Sequence, residues 1–484
     1  MSRSLKKNYL YQATWQLLLI TVPLITTPYL SRVLGAEQVG VYSYTYAITN
    51  YFVMFATLGM STYGVRLIAL CGNDRAKRSR EFWSAYGSQL LIGVIVMAAY
   101  VGYSFLESRG GWQVSLMWGM WVLSALFDIS WLLFGVEEFK IPTIRSIATK
   151  IISVLVILLF VKEQDDLWIY CAAIAGSFLA NQLLIWPFLR RYVDFSRPTM
   201  HDIVHHIAPN IRLFIPVIAI SFYISLDKIM LGIMTDMTQT GYFEYSEKLS
   251  KLPLSLITAM GTVMLPRMTS ELNHGHKEEA LGLLENSIWA MLAAAFAMMF
   301  GIMAIAPEFA VVFLGEEFAS CDSIMFIIAL TIPAIATTNV LGRQYLLPTG
   351  RDKMFTTSVC IGAVVNVLCN LILLPQFGAI GAAISTVIAE YTVLFVQVGL
   401  TRKELPLLTY LKNSVPFAVC GCIMFGVVRF ASQHINVLLG VGVASLVLEI
   451  VAGVASFLVL ALVWCLVTKD RHIGILLRNL KLHS

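Results

Sequence analysis

Five ionisable residues fall together in an otherwise apolar region: Asp227, Lys228, Glu247, Lys248 and Lys251. A charge inside a membrane span costs about 2.5–3.5 kcal/mol on insertion scales. Left unpaired at mid-depth, the five would cost on the order of 10 kcal/mol, comparable to the whole stability of a domain. They must therefore pair with one another, line water, or both. Glu244 and Lys248 are spaced i,i+4, as are Glu247 and Lys251, so each pair can close along its own helix. Asp227 and Lys228 are adjacent and point to different sides, so at least one needs a partner elsewhere. Two readings stay open: a neutralised network that fixes helix packing, and a hydrated cavity whose cationic groups receive an anionic substrate.

Other residues suit the second reading. Arg32 stands just before Gly35; its rigid fork of donors suits phosphate at an outer gate, and an interfacial snorkelling arginine reads the same way. Arg66 ends the second apolar stretch and serves either the charge bias of the loops or the substrate. Tyr42, Tyr46 and Asn50 share one helical face by i,i+4 spacing. Thr14, Trp15, Gln12 and Gln16 lie on the stretch before them. Aromatics beside amides suit sugar rings; they also form the interfacial belts common in membrane proteins. His201 and His205 lie one turn apart, but no Cys, Asp or His cluster completes a ligand set, so a surface helix is expected and no metal. There is no GxxxxGK[ST], GxSxG or HExxH. Neither enzymatic activity nor a cofactor is expected.

The elements that position these groups are apolar helices. Of the 484 residues, 58% are hydrophobic and 13% charged, with a mean hydropathy of +0.76. Soluble domains carry about 25% charged residues. The fold class is therefore an all-α polytopic membrane protein. The net charge of +5 is spread over loops, and no basic face is large enough for a nucleic acid. The eight cysteines are scattered, lack a CxxC pair and read as small buried apolar residues. No removable signal peptide is expected.

At about 20 apolar residues per span, the chain holds about fourteen spans. The first two run over Asn8–Leu34 and Gly40–Leu70, the eleventh and twelfth over Met354–Leu374 and Ala379–Leu400, and the last two over Leu411–Phe430 and Val437–Val467. Lys and Arg crowd every second loop: Arg3, Lys6 and Lys7 at the amino end, then Arg75, Lys77, Arg78 and Arg80, and at the far end Lys469, Arg471, Arg478 and Lys481. The alternate loops carry little beyond Arg32, Arg109, Lys162 and Arg429. This bias predicts that both termini are cytoplasmic.

The chain also repeats itself. Pro216 echoes Pro23. Lys228-Ile-Met-Leu-Gly232 echoes Arg32-Val-Leu-Gly35, and Gly241-Tyr-Phe-Glu-Tyr245 echoes Gly40-Val-Tyr-Ser-Tyr44. Ser130–Lys140 and Gln344–Met354 repeat where a fourth span meets its loop. A duplicated, helix-breaking hairpin points to a transporter with two halves around a midplane site. We expect an N-terminal six-helix lobe over 1–197, a C-terminal six-helix lobe over 198–403, and two appended helices with a basic tail over 404–484. The segment Ala306–Phe318 is expected to be a separate interfacial helix, and Gly35–Gly40 a turn.

These motifs resemble the polysaccharide transporter family, the Wzx-type flippases of the multidrug/oligosaccharidyl-lipid/polysaccharide exporter superfamily. The likeness rests on Asn8, Pro28–Gly35, Gly40–Tyr44, Asn50-Tyr51 and Leu58–Arg66. It continues through Asp227–Gly232, Gly241–Lys248, Leu265-Pro-Arg267 and Gly315–Phe318. It implies two pseudo-symmetric six-helix lobes around a cationic lumen, in the bacterial cytoplasmic (inner) membrane. It also implies alternating access that carries an undecaprenyl-diphosphate-linked oligosaccharide from the inner to the outer leaflet. Its lumen cations map onto Arg32, Lys228 and Lys248. A membrane potential or an inward cation, H+ or Na+, would drive the cycle, with Asp227 or Glu247 as the cation site. A monomer suffices, with membrane lipid around it and a polysaccharide polymerase as a partner. A flippase for a teichoic-acid or peptidoglycan precursor, a cation-coupled multidrug antiporter of the same superfamily, and a non-transporting envelope scaffold are the alternatives.

Overall fold

The computed structural model describes residues 3–107, 109–274 and 276–468, with side chains from residue 21 onward apart from positions scattered between 216 and 277. Residues 8–16, Arg267 and the basic tail therefore lie outside the side chains described. Every regular element among the described residues is a helix, and ten helices are long and apolar enough to cross a membrane. Two of the ten hold two spans each. Helix α1 (Arg3–Thr57) has 55 residues, roughly 80 Å at 1.5 Å per residue, against a hydrocarbon core of about 30 Å. It breaks at Gly35, whose φ of 72° and ψ of 173° lie where only glycine sits without strain. The break is this one residue; Ala36–Gly40 are helical, so the expected turn is a kink. Pro23 and Pro28 lie inside the helix before it.

The chain divides into two compact units, 1–241 and 242–484. The first holds α1, α2 (Met60–Ala69), α3 (Arg75–Leu106), α4 (Trp112–Leu126), α5 (Ser130–Gly135), α6 (Lys140–Phe160), α7 (Leu167–Leu183), the six-residue α8 (Met200–His205) and α9 (Ile207–Met234). Its interior is aromatic. Trp118 is fully buried and donates from Nε1 to Thr45 Oγ1 at 3.1 Å; Tyr100, also buried, donates to the Ser115 carbonyl at 2.6 Å. Each ring thus buries its body while its polar atom is satisfied, the condition for burying Trp and Tyr. The outward faces are apolar, as at Ile95 and Leu159, which suits a lipid solvent. His201 and His205 lie on α8, capped by Thr199 and Asp202.

At one end of this unit Arg75 clasps Asp194 in a fork, Nε to Oδ2 at 2.8 Å and Nη2 to Oδ1 at 2.7 Å. Trp83 Nε1 reports on the same loop by donating to the Asp194 carbonyl at 2.9 Å. The Arg75 guanidinium, through its hydrogen bonds, holds the Asp194 carboxyl below its ordinary value. A depressed carboxyl contributes stability above its unfolded pKa of about 3.9 and loses it as pH falls through the lower folded value. We expect the 190–195 loop to loosen below about pH 4, read as a change in Trp83 fluorescence. Asp194→Asn should abolish that transition while leaving the neutral-pH spectrum in place.

The second unit begins within α10 (Met237–Lys251) and continues through α11 (Leu254–Asn273), α12 (Lys277–Phe309), α13 (Cys321–Ala329), α14 (Thr331–Asn339), α15 (Asp352–Thr401), α16 (Leu407–Leu439) and α17 (Val443–Val467). Helix α15 mirrors α1. It has 50 residues, carries Pro375 inside and breaks at Gly378, φ 55°. The stretch 306–318 is not a separate helix. Residues 306–309 complete α12 with Pro307 inside, a wide π turn spans Ala310–Leu314, and Gly315 (φ 104°) ends it. A proline removes one ladder hydrogen bond but need not end a helix whose neighbours hold it. All eight cysteines are free. Five are buried, whereas Cys360 and Cys369 are half-buried and Cys422 is exposed, because lipid accepts a small apolar side chain as readily as a core does.

Candidate functional site

The sequence-predicted residues fall in both units. In the first, Tyr42 and Tyr46 stand one turn apart on α1 with ring centroids 5.7 Å apart. They do not form an open sugar platform by themselves: Tyr42 packs on Tyr170 at 4.7 Å, and Tyr46 on Trp121 at 4.7 Å and Trp118 at 5.3 Å. These rings join α1 to α4 and α7. Asn50 is half-buried on the next turn, its Nδ2 3.7 Å from Met54 Sδ. Arg32 is exposed three residues before the kink and donates from Nη1 to the Pro28 carbonyl at 2.8 Å. That bond folds part of its donor fork back along its own helix by one turn. Arg66 is exposed in the last turn of α2, a place where a cation meets helix-terminal carbonyls favourably.

Asp227 and Lys228 lie near the end of α9. Asp227 is 3% exposed and Lys228 half-buried. The structure ties this helix to α1 at two levels. Tyr51 donates to the Ser221 carbonyl at 3.1 Å. Further along, Gly232 lies under the Tyr44 ring, where an added Cβ would stand 2.4 Å from Cδ2. The same Gly232 carbonyl accepts from Arg109 Nη1 at 2.6 Å. Sequence reading missed this last cluster. Glu107 Oε1 accepts from the Arg109 amide at 2.7 Å, Oε2 accepts from Tyr103, and Arg109 in turn caps α9. Its only sequence signal is a Glu and an Arg two residues apart in a short loop.

In the second unit, Glu247 is buried and Lys248 half-buried on α10. The expected i,i+4 pair forms between Lys251 Nζ and Glu247 Oε1 at 2.7 Å. Lys248 Nζ stands 5.6 Å from the Tyr245 ring centre, a cation–π distance. The charged residues of this stretch are thus partly neutralised in place, and Lys228 and Lys248 are each a half-buried cation next in sequence to a buried acid, Asp227 and Glu247. The sole metal-like triad among the described residues is Glu271, His276 and Glu279, at the junction of α11 and α12; it includes neither His201 nor His205.

Long kinked helices, apolar outward faces and ionisable groups inside spans define a multi-pass membrane protein. A family model described as "Polysaccharide biosynthesis protein" matches residues 5–271, and the chain belongs to that family. It is 23% identical over 413 residues to a protein of Escherichia coli (strain K12) named as an O-antigen transporter, covering 83% of this chain and 97% of that one. A protein of the same name from Shigella dysenteriae is 21% identical over 381 residues, 76% and 92% of the two chains. In fold the chain is similar to the lipid II flippase MurJ in an inward closed conformation, with a TM-score of 0.75 at 14% identity over 93% of this chain and 99% of that one. It is also similar to an inward-facing multidrug resistance MATE family transporter, with a TM-score of 0.65 at 13% identity over 81% and 95%. These relatives share the fold of the multidrug/oligosaccharidyl-lipid/polysaccharide exporter superfamily, and they are transporters and flippases rather than catalysts.

Proposed function

We propose that this protein is a flippase for a polyprenyl-diphosphate-linked oligosaccharide, serving cell-surface polysaccharide biosynthesis. The observation that carries the reading is the family match together with relatives named as O-antigen transporters over most of both chains. The half-buried Lys228 beside the buried Asp227 supplies the chemistry: a cation held within a membrane helix for a diphosphate. A sugar hydroxyl taken unbonded into hydrocarbon costs roughly 2–7 kcal/mol, so the glycan needs a wet, polar passage while its lipid tail stays in the bilayer. Alternating access through a cationic central cavity, lined by Arg32, Lys228 and Lys248, meets that need. Arg66, Tyr42, Tyr46 and Asn50 are its further substrate contacts. A diphosphate leaving a negative interior gains about 2.3 kcal/mol per charge per 100 mV. The potential, or H+ or Na+ bound at Asp227 or Glu247, drives the cycle. The protein acts as a monomer in the inner membrane with both termini cytoplasmic, its two lobes over 1–197 and 198–403, and hands its cargo to a polymerase.

The test is flipping in proteoliposomes, read as exposure of a polyprenyl-diphosphate oligosaccharide to an external glycan-cleaving enzyme. Wild type should accelerate exposure over empty liposomes. Lys228→Ala should lose at least roughly tenfold of that rate, the size of one charge-assisted hydrogen bond, while Lys228→Arg retains most of it. Acceleration of a peptidoglycan or teichoic-acid precursor instead would reassign the cargo. Extrusion of a cationic dye with no glycan exposure would replace the reading by an antiporter, and a folded protein that moves neither would make it a scaffold.

A further inference from the structure

Within the first unit, two cavities of about 410 and 210 Å³ adjoin each other and share Ser61, Asp128 and Gln182 as lining. They open where α4 gives way to α5, beside the start of α6 and the end of α7. The larger is lined by Arg145, which is 8% exposed. All its bonds go to neutral acceptors: Nη2 to Ser130 Oγ at 2.6 Å, Nη1 to Gln182 Oε1 at 3.1 Å, and Nη1 to the Asn181 carbonyl. Its Nε has no partner, and no carboxylate among the described residues forms an ion pair with it. Burial disfavours a guanidinium with no carboxylate in contact, and an anion entering the cavity would relieve that. Its other charged lining group is of the opposite sign. Asp128 is half-buried, and its Oδ1 accepts from the Ser130 amide at 2.9 Å, which leaves Oδ2 for a donor. A simple anion would meet Asp128 as a repulsion. A zwitterion satisfies both.

We infer that the first unit binds a zwitterionic aminophosphate, phosphoethanolamine, with its phosphate on Arg145 and its ammonium on Asp128. The source that the surroundings favour is a phospholipid headgroup. Phe134, Ile144 and Leu183 beside the cavity are 38%, 47% and 44% exposed, an apolar surface on which acyl chains lie. The inference does not depend on the flippase reading.

The test uses the full chain, purified in detergent and stripped of lipid. Retention of phosphatidylethanolamine and of phosphatidylglycerol with matched acyl chains is compared by native mass spectrometry, and free phosphoethanolamine and inorganic phosphate are compared by thermal shift. Wild type should retain the ethanolamine lipid roughly tenfold better than the glycerol lipid, the size of one charge-assisted hydrogen bond. Asp128→Asn should bring the two to equal retention. Arg145→Gln should lose both, and Arg145→Lys should restore part of the binding. A shift with free phosphoethanolamine as large as with the lipid would assign the site to a soluble ligand of the same chemistry. Equal retention of both lipids by wild type, unchanged in Asp128→Asn, would overturn the inference, as would wild-type retention that survives Arg145→Gln. Should Arg145→Gln fail to fold, the Asp128→Asn comparison decides alone.

Discussion

Gly40→Ala will destabilise this protein, although the same exchange on an exposed helix stabilises by about 1 kcal/mol. A Cβ at Gly40 would stand 1.7 Å from the Met237 carbonyl oxygen, and one at Gly241 would stand 2.0 Å from the Ala36 carbonyl oxygen. Both obstacles are backbone, so no rotamer change relieves them. Small residues that let two helix backbones touch are the usual device of membrane packing. Overpacking costs about 1–3 kcal/mol and occasionally more; here α1 and the start of α10 must separate bodily, which puts the loss at the top of that range. The contact is reciprocal, so Gly40→Ala and Gly241→Ala break the same approach. The double variant should lose little more than either single one. Thermal unfolding in detergent measures all three, and a raised midpoint for Gly40→Ala would refute the packing argument.

Arg429→Met should cost nearly as much by a different route. Arg429 is not a loop residue, as its place in the charge pattern suggested. It lies inside α16 and donates from Nη1 to Glu308 Oε2 at 2.8 Å and Oε1 at 3.0 Å. Ser432 donates to the same carboxylate at 2.8 Å. Glu449 on α17, 0% exposed, lies beside this cluster with neither carboxyl oxygen in a hydrogen bond of proper geometry. Removing one partner of a buried pair costs about 3–5 kcal/mol. The lower end applies, because the Arg429 side chain is 34% exposed and water screens it. Arg429→Met with Glu308→Leu should recover part of the loss, since Glu308 is then no longer left as a buried carboxylate without its cation. Glu449→Leu should be neutral or stabilising. Unfolding midpoints of the three variants decide the point; a double variant no better than Arg429→Met would show that the pair contributes more than mutual neutralisation.

Hydropathy and the scarcity of charge determined the class of this protein and its apolar spans, because these depend on residues close together in the chain. A glycine kink at Gly35 stands where the glycine-rich segment after the first span begins, and a second kink, at Gly378, falls between the expected eleventh and twelfth spans. The i,i+4 pair of Glu247 and Lys251 was legible for the same reason, since helical spacing fixes it. The repeat was legible too: Gly40 and Gly241 stand at matching places in the two copies. Only the tertiary structure decided that these two glycines approach each other at backbone distance, that Tyr42 and Tyr46 are packed among aromatic rings from other helices, and that Arg145 lines a cavity with Asp128. Arg429 finds Glu308 across 121 residues, and Arg109 finds Gly232 across 123. A local pattern says that a buried charge needs a partner; which residue supplies it depends on how the helices pack, and that is a property of the whole fold.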